Sequence, residues 1–265
     1  MNVFLREMKA HRWGLIFWSL GMVMMIYSGM AKYGAYEAAG ESVTAILDQM
    51  PDTVRVVFGM TGFDLSTAAG FYGMLFLYLA VMGAVHAALL GAHLIAKEER
   101  DHTSEFLYAK PASRSRVLTG KLLAGLANLI IFNLVTTASS LYFVDFFNKD
   151  APFGDDIVLL MIGLFFLQVI FFAIGAAVAG TSHKPKSAAS RATSIMFGMF
   201  LLYYVVNLNQ DLEFLKYFTP FKYFEASALM TDGALDPVFV VLSVVIVALA
   251  ITGAYRSYSS RDLAI

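Results

Sequence analysis

Two histidines seven residues apart, His86 and His93, stand in an otherwise apolar stretch and share one face if that stretch is helical. Imidazoles so placed could form a metal site or a proton relay. No third side chain of ligand type lies near them in sequence and H-E-x-x-H is absent, so the spacing favours neutral, hydrogen-bonded packing. Gly120-Lys121 carries part of a phosphate-loop signature, but Leu122 follows where a hydroxyl belongs and the upstream glycine is missing. The chain has no Cys, which excludes disulfides, thiolate catalysis and Cys-based metal sites. The remaining concentration of polar chemistry is Lys97-Glu98-Glu99-Arg100-Asp101-His102-Thr103-Ser104-Glu105-Phe106-Leu107-Tyr108-Ala109-Lys110-Pro111. Its charges alternate with an aromatic and aliphatic cluster, and Pro111 would stop a helix there. Two readings stay open on these residues alone: a helix that docks into a groove on a cytoplasmic protein, or a solvated loop that only sets topology.

The elements around these residues belong in a membrane. A 265-residue chain that is 58% hydrophobic, 15% charged and of mean hydropathy +0.66 has more apolar surface than a soluble core can hide. Crossing about 30 Å of hydrocarbon takes roughly 20 apolar residues in a helix. Six segments qualify, at about 13–31, 71–96, 117–147, 155–180, 192–210 and 237–256, and the whole of 1–265 reads as one all-α integral membrane domain. The first run is longer than the apolar region of a signal peptide and lacks a small-x-small cleavage site, so it reads as a retained span. Arg6, Lys9, Arg12, Lys97, Arg100, Lys110, Arg114, Arg116, Lys121, Lys184, Lys186, Arg191, Arg256 and Arg261 then fall on one side, against Lys32, Arg55, Lys149, Lys216 and Lys222 on the other. Basic residues in short loops resist translocation, which puts both termini in the cytoplasm.

Smaller features fill in this layout. Val3, Phe4, Met8 and Trp13 alternate with Arg6, Lys9 and Arg12, predicting a short amphipathic helix in the cytoplasmic interface ahead of the first span. In the first external loop Val43, Ile46, Leu47 and Met50 recur at helical spacing, and Pro51 opens a second short helix ending near Gly59. Phe214, Tyr217, Phe218, Phe221, Tyr223 and Phe224 crowd around Pro220 before the last span, predicting an interfacial or re-entrant helical pair. Gly83, Ala87 and Gly91 in the second span, with Gly175 and Ala179 in the fourth, permit close helix approach, within one subunit or between two. Asn128, Asn133, Gln168, Asn207 and Asn209 are candidates for hydrogen bonds between helices, and Asn207 also for lining a pathway.

The order Glu98-Glu99-Arg100, Thr103, Glu105, Phe106-Leu107, Pro111, Ser113-Arg114-Ser115-Arg116 and Gly120-Lys121 resembles the cytoplasmic loop of type-2 ATP-binding-cassette (ABC-2) exporter permeases. Met50-Pro51 through Phe58-Gly59, the stretch Leu215 to Phe224 and the closing Tyr258 to Leu263 match at corresponding places, so the resemblance covers nearly the whole chain. His102 stands where that family often has Gly. The resemblance implies a dimer with a second copy or a homologous permease, above a pair of separate ATPase subunits that carry ATP and magnesium. Glu98, Glu99, Arg100, Thr103, Glu105 and Phe106 would form the coupling helix that docks on the ATPase. Tyr203, Tyr204 and Asn207 would face the substrate pathway. The implied activity is export by alternating access, from a multi-pass protein of the bacterial cell membrane, and the apolar spans without intramembrane acidic residues favour an amphipathic cargo such as a peptide, toxin or drug. On this reading the chain has no catalytic, cofactor or metal site of its own and no nucleic-acid partner. A secondary transporter or channel would instead show paired intramembrane charges or broken helices repeated between halves, which the sequence lacks. An intramembrane enzyme would rest on His86 and His93, and a sensor complex would keep the family but not the transport.

Overall fold

The computed structural model describes residues 2–39, 49–100, 113–149, 152–182 and 185–260. All regular structure among them is helical: α1 Val3–Ala39, α2 Asp52–Val57, α3 Ala68–Arg100, α4 Arg114–Phe147, α5 Gly154–Thr181, α6 Ala188–Leu208, α7 Pro220–Tyr223, α8 Ala226–Asp232 and α9 Pro237–Ser260, with 3-10 turns at Pro185–Ser187 and Gln210–Phe218. Six of these, α1, α3, α4, α5, α6 and α9, are long and apolar enough to cross a membrane.

Helices α3 and α5 form the axis. In each, 61% of the most apolar window is buried inside the bundle, against 11% for α9. The two helices make the most extensive contact in the fold; α1 pairs with α4 on one flank, α9 lies along α5, and α6 touches both axial helices. Glycine permits this. A methyl group at Gly91 would stand 2.2 Å from the carbonyl oxygen of Phe172, and one at Gly175 would stand 2.3 Å from that of Ala88. The backbones therefore touch at two reciprocal points, with Ala87 and Ala179 buried beside them. In lipid, where burial of apolar surface drives little association, such close van der Waals contact is a main source of helix pairing. Of the two readings of the small-residue stripe, the structure takes the contact within one chain.

The N-terminal segment departs from expectation. No separate interfacial helix precedes the first span: one helix of 37 residues runs from Val3 to Ala39, about 55 Å at helical rise. Its first turn lies on α4, where Val3 Cβ sits 3.1 Å from the position a methyl at Gly120 would take. Arg6 to Leu15 contains no proline to break a helix, and Glu7, which local polarity assigns to water, is buried.

At the end of the bundle away from the N-terminus, Pro51 precedes α2 and Gly59 turns the chain with φ +69°, as the sequence predicted; the helix expected from Val43 lies mostly outside the described residues. Thr67 caps α3 by accepting from the Gly70 amide at 3.1 Å. Asp64 braces the preceding turn through the Ser66 hydroxyl (2.5 Å) and amide (3.0 Å), and these hydrogen bonds hold its carboxyl below the usual range.

The aromatic segment before the last span divides into two sets. Phe214, Tyr217 and Phe218 on the 3-10 turn are exposed, while Phe221, Tyr223 and Phe224 are buried. The Phe221 ring centroid lies 5.3 Å from that of Phe171, Phe224 stacks 5.5 Å from Phe166, and Tyr223 stacks 4.8 Å from Phe239. The Tyr223 hydroxyl donates to the Tyr217 carbonyl, and burial pushes that phenol up to about 12, so it stays a donor across working pH. The inner set thus wedges α7 against α5 and α9, leaving the outer set for headgroup depth.

If the axial contact is as close as this, Gly91→Val or Gly175→Val destabilises the fold by about 1–3 kcal/mol through overpacking against backbone that has no rotamer to yield. Gly14, which has nothing within 4 Å of the added carbon, should accept Ala with no loss. Thermal unfolding of the purified chain in detergent micelles separates the two cases; equal midpoints for Gly91→Val and Gly14→Ala would remove the contact from the account.

Candidate functional site

Two polar clusters stand towards opposite ends of α3. The first gathers at its C-terminal end, where α1 begins and α4 is two turns old. Lys121, wholly buried, donates to the Leu94 carbonyl at 2.5 Å and to the Glu98 carboxylate. Arg6 reaches the other Glu98 oxygen at 2.6 Å and also holds Glu7 at 2.5 Å. Lys97 approaches the second Glu7 oxygen at 3.4 Å. Five ionisable groups from three helices therefore form one connected knot. Charges removed from water on this scale survive only when paired and hydrogen-bonded. The same end carries Asn128, whose amide nitrogen lies 4.0 Å from the Met8 sulfur.

This geometry corrects one expectation. Lys97 to Arg100 do not begin a separate surface helix; they are the last turn of α3. Glu98 and Glu99 are buried and Arg100 is half-buried. The Glu98 carboxylate points inward to Lys121 and Arg6, because a carboxylate buried among helices needs those cations. Thr103, Glu105 and Phe106 lie outside the described residues. The paired charges missing from the sequence reading are present after all, at the base of the spans rather than repeated between halves.

The second cluster lines a cavity of about 220 Å³ between the outer loop turns, the first third of α3, the end of α6 and the α7–α8 connection. Tyr203 and Asn207, both named from sequence as pathway candidates, line it. Their spacing of four residues puts them on one face of α6. Glu225 collects three donors: the Tyr203 hydroxyl at 2.9 Å, the Asn207 amide at 3.3 Å and the Lys222 ammonium. Lys222 also donates to the Asn207 carbonyl oxygen at 2.6 Å. Apolar walls are supplied by Phe63, Phe76, Leu77, Leu167, Phe221 and Phe224. Tyr204 is not brought to this cavity; its hydroxyl bonds the Val57 carbonyl at 2.9 Å and ties α6 to α2.

The other sequence candidates are placed as follows. His86 packs its ring against Phe132 (4.5 Å between centroids) and Trp18 (5.5 Å), and His93 is half-buried. Asn133 donates to the Met161 carbonyl at 3.1 Å and so links α4 to α5. Asn209 does not join helices; it caps the 3-10 turn by accepting from the Asp211 amide at 3.0 Å. Gln168 is fully buried and neither amide atom has a hydrogen-bond partner among the described residues. Residues that sequence reasoning did not single out are Glu7, Lys222 and Glu225. A signal existed for each: Glu7 is the one acid among the basic residues ahead of the first span, and Lys222 stands three residues from Glu225 amid aromatics rather than water.

Lys121→Met strands Glu98 with one cation fewer and should cost about 3–5 kcal/mol, the usual penalty for breaking a buried pair from one side. Adding Glu98→Gln to it should recover part of that loss, since no charge is then left facing an apolar neighbour. Unfolding half-life in micelles checks this, and a double variant no better than the single would count against direct pairing.

The family model described as ABC-2 family transporter protein matches residues 1–263. No curated protein matches the chain. A multi-span helical chain, matched along nearly its whole length, belongs to the ABC-2 transporter family as a membrane subunit without an ATPase domain of its own.

Proposed function

We propose that this subunit is the membrane half of an ATP-driven exporter of the bacterial cell membrane, working beside a second permease copy or a homologue and above a pair of ATPase subunits. The excess of basic residues that the six-span layout of the sequence puts on one side supports a cytoplasmic location for both termini. One observation carries the reading: the polypeptide that leaves α3 towards residues 101–112 departs from a knot that binds α1, α3 and α4 together. A push delivered to that segment is shared by three spans, because none of the three can slide without unpairing a buried charge. ATP binding would draw the segments of two subunits together, and the helices would move as packed units toward an outward-open or squeezed state. The cargo is an amphipathic molecule such as a peptide, toxin or drug. The aromatic walls and neutral net charge of the far cavity support that class over a simple inorganic ion.

Docking is assigned to Thr103, Glu105 and Phe106, with the last turn of α3 as its rigid base. Co-purification with the cognate ATPase tests it. Phe106→Ala and Glu105→Arg should each weaken ATPase retention at least about tenfold, on the order of 1.4 kcal/mol, while leaving thermal stability of the permease unchanged. Retention and transport-coupled hydrolysis both at the wild-type level in the two variants would refute the assignment.

A further inference from the structure

The far cavity has a chemistry that narrows its occupant. At about 220 Å³ it falls below the roughly 300–1,000 Å³ of pockets that enclose drug-sized ligands, so a cargo molecule enters it with one part only. That part meets one cation and one anion. Lys222 and Glu225 stand three residues apart on the same wall, and their side chains remain 23% and 17% exposed, unlike the closed pair at the base of the bundle. Tyr203 and Asn207 add a hydroxyl and an amide between them. No further charge lines the cavity: Thr61 and Ser227 add hydroxyls, and the larger walls are aromatic, from Phe63, Phe76, Phe221 and Phe224.

An anionic head group brought here would gain Lys222 and be repelled by Glu225; a cationic one would meet the reverse. A head that carries both charges suffers neither penalty. Its acidic group takes the Lys222 ammonium, its own ammonium takes the Glu225 carboxylate, and the internal ion pair is exchanged for two intermolecular ones, with Asn207 and Tyr203 still bonded to the displaced groups. Specificity of this sort arises as much from the repulsion of the wrong charge as from attraction of the right one. We infer that the cavity is a binding site for the head group of a zwitterionic amphiphile, a lipid-like molecule bearing an ammonium and an acid group, whose apolar tail stays outside among the helices. This rests on the export reading for its purpose but not for its measurement.

The test uses the full-length chain purified in maltoside micelles, without the ATPase, and three single-tailed probes of matched chain length: lysophosphatidylethanolamine, lysophosphatidylglycerol and an alkyltrimethylammonium. Bound probe is counted by native mass spectrometry. The zwitterion should bind at least about tenfold more tightly than either singly charged probe, about 1.4 kcal/mol of discrimination. Glu225→Gln leaves Lys222 alone and should turn the preference to lysophosphatidylglycerol; Lys222→Gln should turn it to the ammonium probe. A crossover of this kind cannot come from loss of fold, and Tyr204→Phe, outside the cavity, should leave the wild-type order intact. Equal binding of the three probes by the wild-type chain overturns the inference even if neither variant can be purified, as does an order that both variants leave unchanged. Failure here leaves the exporter reading standing. A preserved zwitterion preference that ATP fails to release in the reconstituted complex sinks that reading and leaves the site.

Discussion

The close backbone contact of α3 and α5 is the constraint on which the rest of the bundle depends. Gly91 meets the Phe172 carbonyl and Gly175 meets that of Ala88, so the two helices approach as nearly as their main chains allow. Side chains that would otherwise separate them are released to face outward, α3 towards α1, α4 and α6, and α5 towards α9 and the wedge of Phe221 and Phe224. A lipid-solvated bundle has no excluded water to press its helices together, so the geometry of contact has to supply the association. Asn133 adds a directional bond from α4 to the Met161 carbonyl on α5.

Around that axis the buried charges act as a specificity device more than as glue. Taking a Lys and a Glu out of water costs nearly what their attraction returns, so the Lys121–Glu98 pair is a weak source of net stability. Its effect is on alternatives. If α4 shifted by a turn along α3, Lys121 would lose both Glu98 and the Leu94 carbonyl and would have no water to replace them. Arg6 extends the same penalty to α1, because it spans Glu7 and Glu98 at once. The three helices therefore have one register available, and displacement of any of them as a separate body is disfavoured.

The spans were legible in the sequence and their ends were not. Apolar length located six helices, since twenty residues without charge have few other fates. Hydropathy stops where charge begins, however, and α1 and α3 continue through Arg6, Glu7, Lys97 and Glu98. What makes that continuation possible is pairing with residues more than twenty positions away, which no local pattern displays. The far cavity was half legible. Tyr203 and Asn207 stood out as polar groups late in a span, whereas Lys222 and Glu225 were hidden in a segment whose aromatic content predicted an interfacial or re-entrant helical pair without showing which rings turn inward. The small-residue stripe announced close approach and could not name its partner, because Gly reports only that something comes near.

These separate features meet on one element. Helix α3 has no proline and runs 33 residues, about 50 Å, with Lys97 and Glu98 in the knot at one end and Phe76 and Leu77 on the cavity wall near the other. Phe76 and Glu98 are about 33 Å apart along it at helical rise. A rod locked to α5 at Ala88 and Gly91, between the knot and the cavity wall, cannot slide far without driving Gly91 into Phe172. A tilt about that contact, with α1 and α4 carried along by the knot, keeps the two backbone contacts in place. A tilt that moves the knot one way moves the cavity wall the other. Displacement of the segment beyond Arg100 would therefore reach the Tyr203–Glu225–Lys222 cluster as a change in the width of the cavity, carried by rigid-body movement and requiring no chain of rearranging side chains between the two ends.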